Sequence, residues 1–359
     1  MMPPDQDCQP QENGGRILGE SLFSSLATYA ASSATLPLEN FTSQLLAWLV
    51  NYSPTIGMAV GQLFLPDLAA LLTRVDATTQ RWTPAGIIDV WLAIQFDAGR
   101  TVDLLLENKI DAGIGIRESL PRSEPDILTT QVDNYLAYAR KLTNTRVALL
   151  TRDPERPLEH WAGECWSGAH RWFEVARAIR DASAATAEQK FLQCQTYTFL
   201  KEHGMVLEPV SEALRVGTPE RPKLQLLLVE VGLRVGKEVD GFEYVEASLD
   251  KYGVYVEWKL QNYGIVGLLY SDARADFGVY LKVKDVDDAF LQRLSRFKAG
   301  ARVQRTSNRY WGNPHVPIEL DPGFYSSLDV ATQVASIVKC VTPVLRAIQE
   351  AAGGAKPKP

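Results

Sequence analysis

Two apolar runs of the sequence carry acidic and basic residues of the kind that hydrolyse phosphate esters. Asp89 interrupts the first run, and Glu107 and Lys109 stand two residues apart at the end of the next. In a β-strand, residues two apart point to the same face, so Glu107 and Lys109 share one side. Two carboxylates that meet repel each other unless a cation lies between them, and oxygen ligands suit Mg²⁺ or Mn²⁺. Such a cation activates water and neutralises phosphate, so these residues predict a hydrolytic metal site if the strands bring Asp89 to Glu107.

The turn between the two runs decides whether these carboxylates meet. A three-residue turn at Asp97–Gly99, with its glycine in the left-handed position, would place Asp89 directly opposite Glu107. Opposed side chains have Cβ atoms about 5 Å apart. A two-residue turn at residues 98–99 would instead place Asp89 opposite Asn108, on the face away from Glu107. The turn chemistry favours the three-residue form.

The elements around this hairpin predict an α/β core in residues 16–218. Apolar runs bounded by turn residues predict strands, and apolar positions three or four apart predict helices. The predicted strands are residues 87–96, 101–110 and 146–153, and the predicted helices are residues 16–52, 127–142, 170–182 and 187–204. A loop rich in glycine and proline follows Lys109.

Beyond residue 218 the sequence is aromatic and β-branched in short segments with regular turns, which predicts a mainly antiparallel sheet. The predicted strands are residues 224–235, 242–250, 252–260, 263–271 and 277–284, and helices over residues 285–298 and 329–350 could cover them. Residues 219–351 are therefore expected to form an α+β domain. The polar residues 1–15 and 352–359 are expected to be a disordered lead-in and a flexible tail.

The composition excludes several classes of protein. The net charge of −6 provides no overall attraction to nucleic acid, so such binding needs a local basic surface. The four cysteines are far apart, which argues against a zinc site or a disulfide framework. No apolar run reaches about 18 residues, and the first residues lack the apolar centre of a signal peptide. The expectation is a cytoplasmic protein that does not bind membranes.

Asp89 followed by Glu107-x-Lys109 at the end of the next strand resembles the PD-(D/E)XK nuclease superfamily. The resemblance covers about residues 36–205 and implies a restriction-endonuclease-like core, with a central mixed sheet flanked by helices. It implies that Asp89 and Glu107 bind Mg²⁺ or Mn²⁺ and that Lys109 assists water activation. The implied activity is metal-dependent hydrolysis of phosphodiester bonds, most often in DNA.

Two further segments match patterns of that superfamily. Gln131 and Tyr135 lie four residues apart on the helix after the motif, similar to the QLxxY pattern of many members, and Gln131 would help to orient the site. Packing of this helix is the alternative explanation for both residues. Glu39 lies on a helix that resembles the one presenting an accessory acid, although an acid in the first turn also stabilises a helix N-terminus.

The sequence departs from the superfamily pattern in two places. Ile88 rather than proline precedes Asp89, which is common among diverse members. The insertion between Lys109 and Gln131 is long, and a loop of this kind can close over a substrate. Residues after about 218 match no family pattern.

A basic and aromatic tract near the C-terminus is the candidate nucleic-acid contact. Arg302, Arg305 and Arg309 precede Tyr310 and Trp311, a mixture suited to backbone contact and base stacking, although ordinary surface arginines are the alternative.

The resulting hypothesis is a nuclease acting on DNA, with bacterial defence against foreign DNA as a setting that follows from family habit. An inactive nuclease-fold binding protein and an RNA-cleaving nuclease are the alternatives. A homodimer is compatible with the resemblance, because many members dimerise to cut both strands.

Overall fold

The structure is a computed structural model of the 359-residue chain. It describes residues 23, 37–110, 116–117, 129–152, 161, 163–215, 220–250, 253–260, 264–271, 276–282, 292 and 315–353. The chain divides into two compact units, residues 1–206 and 207–359. The sequence-based boundary near residue 218 lies outside the described residues.

The described part of the first unit has five α-helices around a central sheet. Its elements, in chain order, are α1 (Pro37–Tyr52), α2 (Pro54–Phe64), β1 (Leu72–Thr83), β2 (Gly86–Phe96), β3 (Thr101–Lys109), β4 (Ile116–Arg117), β5 (Thr129–Thr130), α3 (Gln131–Ala139), β6 (Thr145–Thr151), β7 (Trp166–Arg171), α4 (Trp172–Asp181) and α5 (Ala187–Glu202). The predicted hairpin strands, the strand at β6 and helices α3, α4 and α5 are confirmed. The sequence analysis assigned neither β1 nor β7.

The central sheet is mixed and has five strands in the order β1-β2-β3-β6-β7. The first three strands pair antiparallel, whereas β6 runs parallel to β3 and β7 runs parallel to β6. Parallel neighbours need a long crossover, and α3 lies in the one that joins β3 to β6. The expected mixed α/β sheet is therefore present.

Helices cover both faces of this sheet. Leu104 and Leu106 of β3 join a core cluster that includes residues of α1, α2, α4 and α5. Leu105, which points the other way, packs in a second cluster with Tyr135 and Leu136 of α3. A strand buried on both faces reads as a continuous apolar run, and this accounts for the three consecutive leucines.

The second unit contains an antiparallel sheet, as expected. Its elements are α6 (Arg221–Glu238), β8 (Phe242–Asp250), β9 (Gly253–Leu260), β10 (Gly264–Ser271), β11 (Asp276–Lys282), β12 (His315–Ile318) and α7 (Val330–Gly353), and the strand order is β12-β11-β10-β9-β8. The predicted strands at β8 to β11 and the helix at α7 are confirmed. The predicted helix over residues 285–298 lies outside the described residues, apart from residue 292, and so does the lead-in.

The prediction of a strand over residues 224–235 is wrong, because this segment lies within helix α6. Leu224, Leu227, Leu228, Val231 and Val235 are all fully buried and recur three or four residues apart. A short run of leucine and valine is compatible with either a buried strand or a buried helix, and the helical spacing was the signal that distinguishes them.

Helix α7 is the longest helix in the described part of the chain. By length and composition it could cross a membrane, and 56% of its most apolar window is buried within the structure. Ile337, Val341, Leu345 and Ile348 are each buried, as expected for a helix that packs in a protein core. The helix ends at Gly353, so the first two residues of the expected tail are helical.

Candidate active site

The hairpin of β2 and β3 has the three-residue turn favoured by the sequence. The paired residues run without a shift from Val90↔Leu106 to Gln95↔Thr101. Gly99 lies in the left-handed region, with a φ of 76°. This conformation is unfavourable for residues with a Cβ, which explains a glycine at the third turn position. The predicted register is confirmed.

This register places Asp89 and Glu107 opposite each other at the open end of the hairpin. The pairing ends at Val90↔Leu106, and Asp89 and Glu107 are the residues that continue the two strands beyond it, close enough for the charge of Asp89 to act on Glu107. The Oδ2 atom of Asp89 accepts a hydrogen bond of 2.9 Å from the backbone N–H of Asn108. The carboxylate therefore bonds to the β3 backbone at the point where the regular strand pairing ends.

Glu107 is almost completely buried. Helix α3 packs over its face of β3, and only 1% of Glu107 is exposed. Lys109 Nζ lies 2.8 Å from Glu107 Oε1, an ion-pair distance. Apart from this ion pair and the nearby Tyr135 hydroxyl, neither carboxylate oxygen has a hydrogen-bond partner among the described residues. A buried acid with so few donors is uncommon, which marks Glu107 as exceptional.

Glu39 joins the same cluster from helix α1. Its Oε1 atom lies 3.2 Å from Lys109 Nζ, and its Oε2 atom accepts a 3.4 Å hydrogen bond from the backbone N–H of Ile110. Glu39 stands in the first turn of α1, so it also has the favourable position for an acid at a helix N-terminus. The two explanations offered by the sequence are therefore compatible with each other.

Hydrogen bonds from the Asn108 side chain connect β3 to the first turn of α1. Its Nδ2 atom lies 3.0 Å from the Glu39 carbonyl oxygen, 2.9 Å from Thr42 Oγ1 and 2.9 Å from Ser43 Oγ. Its Oδ1 atom accepts a 2.9 Å hydrogen bond from Trp172 Nε1. Asn108 is fully buried, and its side chain holds Glu39 beside Lys109. The sequence analysis gave this residue no role, although a polar residue at a core-facing strand position was a signal.

A residue of β1 with an unusual backbone conformation, Gln80, contacts Asp89 from the side opposite to β3. Gln80 has a φ of 52°, which is rare for a residue that carries a Cβ. Its Nε2 atom lies 3.5 Å from Asp89 Oδ1, a long hydrogen bond. Backbone strain of this kind tends to occur where a functional site needs it.

Gln131 and Tyr135 border the cluster from helix α3. Gln131 Nε2 donates to the Ile87 carbonyl oxygen at 3.3 Å, and the Tyr135 hydroxyl donates to the same oxygen. Gln131 also bonds to the Tyr135 hydroxyl. Tyr135 is fully buried, as the packing interpretation predicted, and its hydroxyl also interacts with the Glu107 carboxylate. Gln131 thus reaches the carboxylates through Tyr135.

Thr151 is a neighbour of the cluster that the sequence analysis missed. It pairs with Lys109 in the parallel register of β3 and β6, so both side chains lie on the same face of the sheet. Its side chain is buried, and its hydroxyl has no hydrogen-bond partner among the residues that the structure describes. Only the parallel pairing brings it to Lys109, and no local pattern in the sequence specifies that pairing.

The charged groups of the cluster shift each other's pKa values. Burial and then the nearby charge of Asp89 raise the pKa of Glu107 from its ordinary 4.5 to about 8. Burial is also the main reason why the pKa of Asp89 is raised. Burial opposes the charge of Lys109, but the carboxylates of Glu107, Glu39 and Asp89 together raise its pKa. Burial therefore favours the protonated form of Glu107, and a bound divalent cation would favour the carboxylate.

The donor atoms fit a hard divalent cation. Among the described residues the oxygens of Glu107 are contacted by Lys109 and the Tyr135 hydroxyl, and one oxygen of the neighbouring Asp89 is bonded to the backbone of Asn108. Within the described residues, no group of three or more histidine, cysteine, aspartate or glutamate side chains is arranged to hold a metal ion. Mg²⁺ typically takes only one or two protein carboxylates and completes its shell with water and phosphate oxygens, so a pair is sufficient.

The chain matches no protein-family model, no curated protein and no solved structure. Of the residues proposed from the sequence, Glu39, Asp89, Glu107 and Lys109 lie together, and Gln131 lies at their border. Arg302, Arg305 and Arg309 lie outside the described residues.

Proposed function

We propose that this protein is a metal-dependent nuclease that hydrolyses phosphodiester bonds, with DNA as the expected substrate. The observation that carries the proposal is the meeting of Asp89 with Glu107, a carboxylate that is 1% exposed and whose partners among the described residues are the Lys109 ammonium and the Tyr135 hydroxyl. A carboxylate in this state is poorly suited to stabilising the fold, and it is well suited to receiving a cation.

In the proposed site, Asp89 and Glu107 hold Mg²⁺ or Mn²⁺. The bound cation supplies charge neutralisation for a phosphate and lowers the pKa of a coordinated water. Lys109 keeps its ammonium charged between Glu107 and Glu39, at 2.8 and 3.2 Å, and this charge stabilises an oxyanion or orients the attacking water. Asn108 keeps Glu39 and Asp89 in position through its side chain and its backbone N–H.

The arrangement of strands and helices supports the resemblance to the PD-(D/E)XK nuclease superfamily. A mixed sheet flanked by helices is the core that this resemblance implies, and the Glu-x-Lys pair lies at the end of β3 beside a parallel strand. The restriction-endonuclease-like assignment and the choice of DNA rest on the resemblance.

A cleavage assay tests the proposal. Purified protein is incubated with plasmid DNA, single-stranded DNA or RNA in the presence of Mg²⁺, Mn²⁺ or EDTA. We expect cleavage of DNA that requires the metal and that Asp89→Ala and Lys109→Ala abolish. Lys141→Ala, which changes an exposed lysine after α3, is the matched control and should cleave normally.

Each other outcome has a definite meaning. Equal cleavage by the wild type and both site variants would contradict the assignment. Cleavage of RNA alone would show that RNA rather than DNA is the substrate and would leave the assignment of the site unchanged. Absence of cleavage on all three substrates would favour a binding protein with a nuclease fold. Sedimentation of the same samples tests the homodimer.

A further inference from the structure

A cavity lies in the first unit, away from the carboxylates. Its volume is about 550 Å³, which is within the size range of small-molecule sites. Val102, Leu136 and Trp161 are buried residues of its wall. Val102 stands near the start of β3, whereas Glu107 stands near its end. Five residues of extended strand span roughly 16 Å, so the cavity and the cluster occupy opposite ends of the strand.

The polar part of the cavity lining is predominantly basic. Arg100, Arg140 and Arg146 contribute to it, and Glu164 is the one carboxylate in the lining. This surplus of positive charge stands out in a chain whose net charge is −6. Arginine presents a planar set of donors that matches phosphate and carboxylate oxygens. An anionic ligand therefore fits this lining better than a neutral or cationic one.

One of the three guanidinium groups is held in position by an acid outside the lining. Arg146 Nη1 and Nη2 lie 3.1 and 3.0 Å from the two carboxylate oxygens of Asp67. The hydrogen bonds from Arg146, and to a smaller degree the charge of Arg100, lower the pKa of Asp67. Neither Arg100 nor Arg140 forms an ion pair with any carboxylate in the described ranges. Their charges are available to a ligand.

Two indole rings line the same cavity. The ring centroids of Trp161 and Trp166 lie 5.3 Å apart with their planes inclined by 52°, and Trp161 is fully buried, so Trp166 is the ring that can face a ligand. Trp161 is held by a 2.7 Å hydrogen bond from its Nε1 atom to Asp133 Oδ1. Trp166 is partly buried and lies beside a shift in the pairing of β6 and β7. Aromatic rings of this kind stack with nucleobases.

We propose that this cavity binds a nucleotide, with the base against the Trp166 indole and the phosphate against Arg100 and Arg140. The ligand is either a free mononucleotide or one nucleotide of a nucleic-acid strand. The inference does not depend on the proposed hydrolysis, because it uses none of the residues of the carboxylate cluster.

A calorimetric titration in EDTA tests this binding without the metal that the cluster requires. The probes are AMP, adenosine, inorganic phosphate and a thymidine hexanucleotide. We expect AMP to bind more tightly than adenosine or phosphate alone. Arg140→Ala and Arg100→Ala should each weaken AMP binding by about tenfold or more, because a charge-assisted contact is lost. Trp166→Leu should weaken AMP binding and leave phosphate binding unchanged.

Controls separate this outcome from general damage. Arg74→Ala, which removes an exposed arginine paired with Asp76, should bind AMP as the wild type does. Asp89→Asn should also leave AMP binding unchanged. Thermal denaturation checks that every variant is folded.

Three results would overturn the proposal. The first is that neither AMP nor the hexanucleotide binds, and the second is that AMP and inorganic phosphate bind equally. The third is that Arg100→Ala and Arg140→Ala bind like the wild type. Binding of the hexanucleotide without AMP would support the proposal and identify a strand as the source of the nucleotide.

Discussion

Two buried glutamates, one in the sheet of each unit, have contrasting surroundings. Glu257 on β9 is 2% exposed, and Tyr280 of β11 donates a hydrogen bond to its Oε1 atom. Glu107 on β3 is buried to the same degree, but its neighbours are the Asp89 carboxylate, the Lys109 ammonium and the Tyr135 hydroxyl. The fold provides a donor for the first carboxylate. It places the second beside another acid, an arrangement that a cation would relieve.

The hydrogen bond between Tyr280 and Glu257 depends on a glycine in β10, the strand that lies between β9 and β11. Gly267 of β10 pairs with Glu257 on one side and with Tyr280 on the other. A Cβ at this position would lie 2.2 Å from the Tyr280 ring, so only glycine lets the ring cross the strand. A carboxylate with such dedicated support has a structural role. The Tyr135 hydroxyl also reaches the Glu107 carboxylate, but it donates to the Ile87 carbonyl oxygen, so Glu107 has no such dedicated donor among the described residues. This difference supports the proposal that Glu107 is functional.

The largest expected effect is on cleavage activity, which should fall when Glu107 is changed and stay the same when Glu257 is changed. Glu107→Gln should lower metal-dependent cleavage by about 10³-fold or more, because a lost metal ligand removes several kcal/mol of transition-state stabilisation. Glu257→Gln keeps an oxygen that can accept the Tyr280 hydrogen bond and should leave cleavage unchanged. Initial rates on plasmid DNA measure both. Similar losses in the two variants would remove the distinction between the two carboxylates.

The next effect is a pH dependence of stability in the metal-free protein. The pKa of Glu107 rises from 4.5 to about 8 on folding, so the folded state binds this proton more tightly. The contribution of this proton to the stability of the folded state is fully present below pH 4.5 and is lost as the pH rises through 8. At about 1.36 kcal/mol per pKa unit, the free energy of unfolding should fall by roughly 3 to 5 kcal/mol across this range.

Urea unfolding in EDTA at several pH values measures that change. In Glu107→Gln, which cannot ionise, this part of the dependence should be absent. An identical fall in the variant and the wild type would mean that Glu107 does not cause it.

A smaller effect concerns the side chain that positions the cluster. Asn108→Ala should lower the free energy of unfolding by about 3 kcal/mol, because the buried partners of its amide lose their hydrogen bonds. It should also weaken Mn²⁺ binding by about 10- to 100-fold through misplaced acids. Asn51→Ala removes an amide that bonds to both backbone groups of Ala77 on β1 and is the matched control. Equal Mn²⁺ affinity in both variants would limit Asn108 to a structural role.

The smallest expected effect is on stability, when Glu257 loses the hydrogen bond from Tyr280. Tyr280→Phe should cost about 1 to 3 kcal/mol of unfolding free energy, because a buried carboxylate loses a donor. Tyr52→Phe changes an exposed ring that stacks on Trp48 and should have no effect. Chemical denaturation measures the difference, and an unchanged Tyr280→Phe would show that this donor contributes nothing to stability.

The contacts that the sequence predicted well are governed by local chemistry. The turn at Asp97–Gly99 decides the hairpin register, and the two-residue period of a strand then brings Glu107 and Lys109 to one face. These rules needed no knowledge of the rest of the chain. They were sufficient to place Asp89 opposite Glu107.

The features that the sequence missed depend on distant parts of the chain. The burial of Glu107 requires α3 to pack over its face, and the role of Asn108 requires α1 to lie on the other face. Thr151 reaches Lys109 only through a parallel pairing that a long crossover makes. The segment at α6 was assigned as a strand because its leucines and valines suit either kind of buried element.

Calorimetric titration of Mn²⁺ tests the central claim most directly, because it asks whether Asp89 and Glu107 form one metal site independently of any substrate. The wild type should bind Mn²⁺, and Asp89→Asn and Glu107→Gln should each lose that binding. Asp76→Asn, which changes an exposed acid of β1, should bind as the wild type does. Unchanged Mn²⁺ affinity in the Asp89 and Glu107 variants would contradict the account.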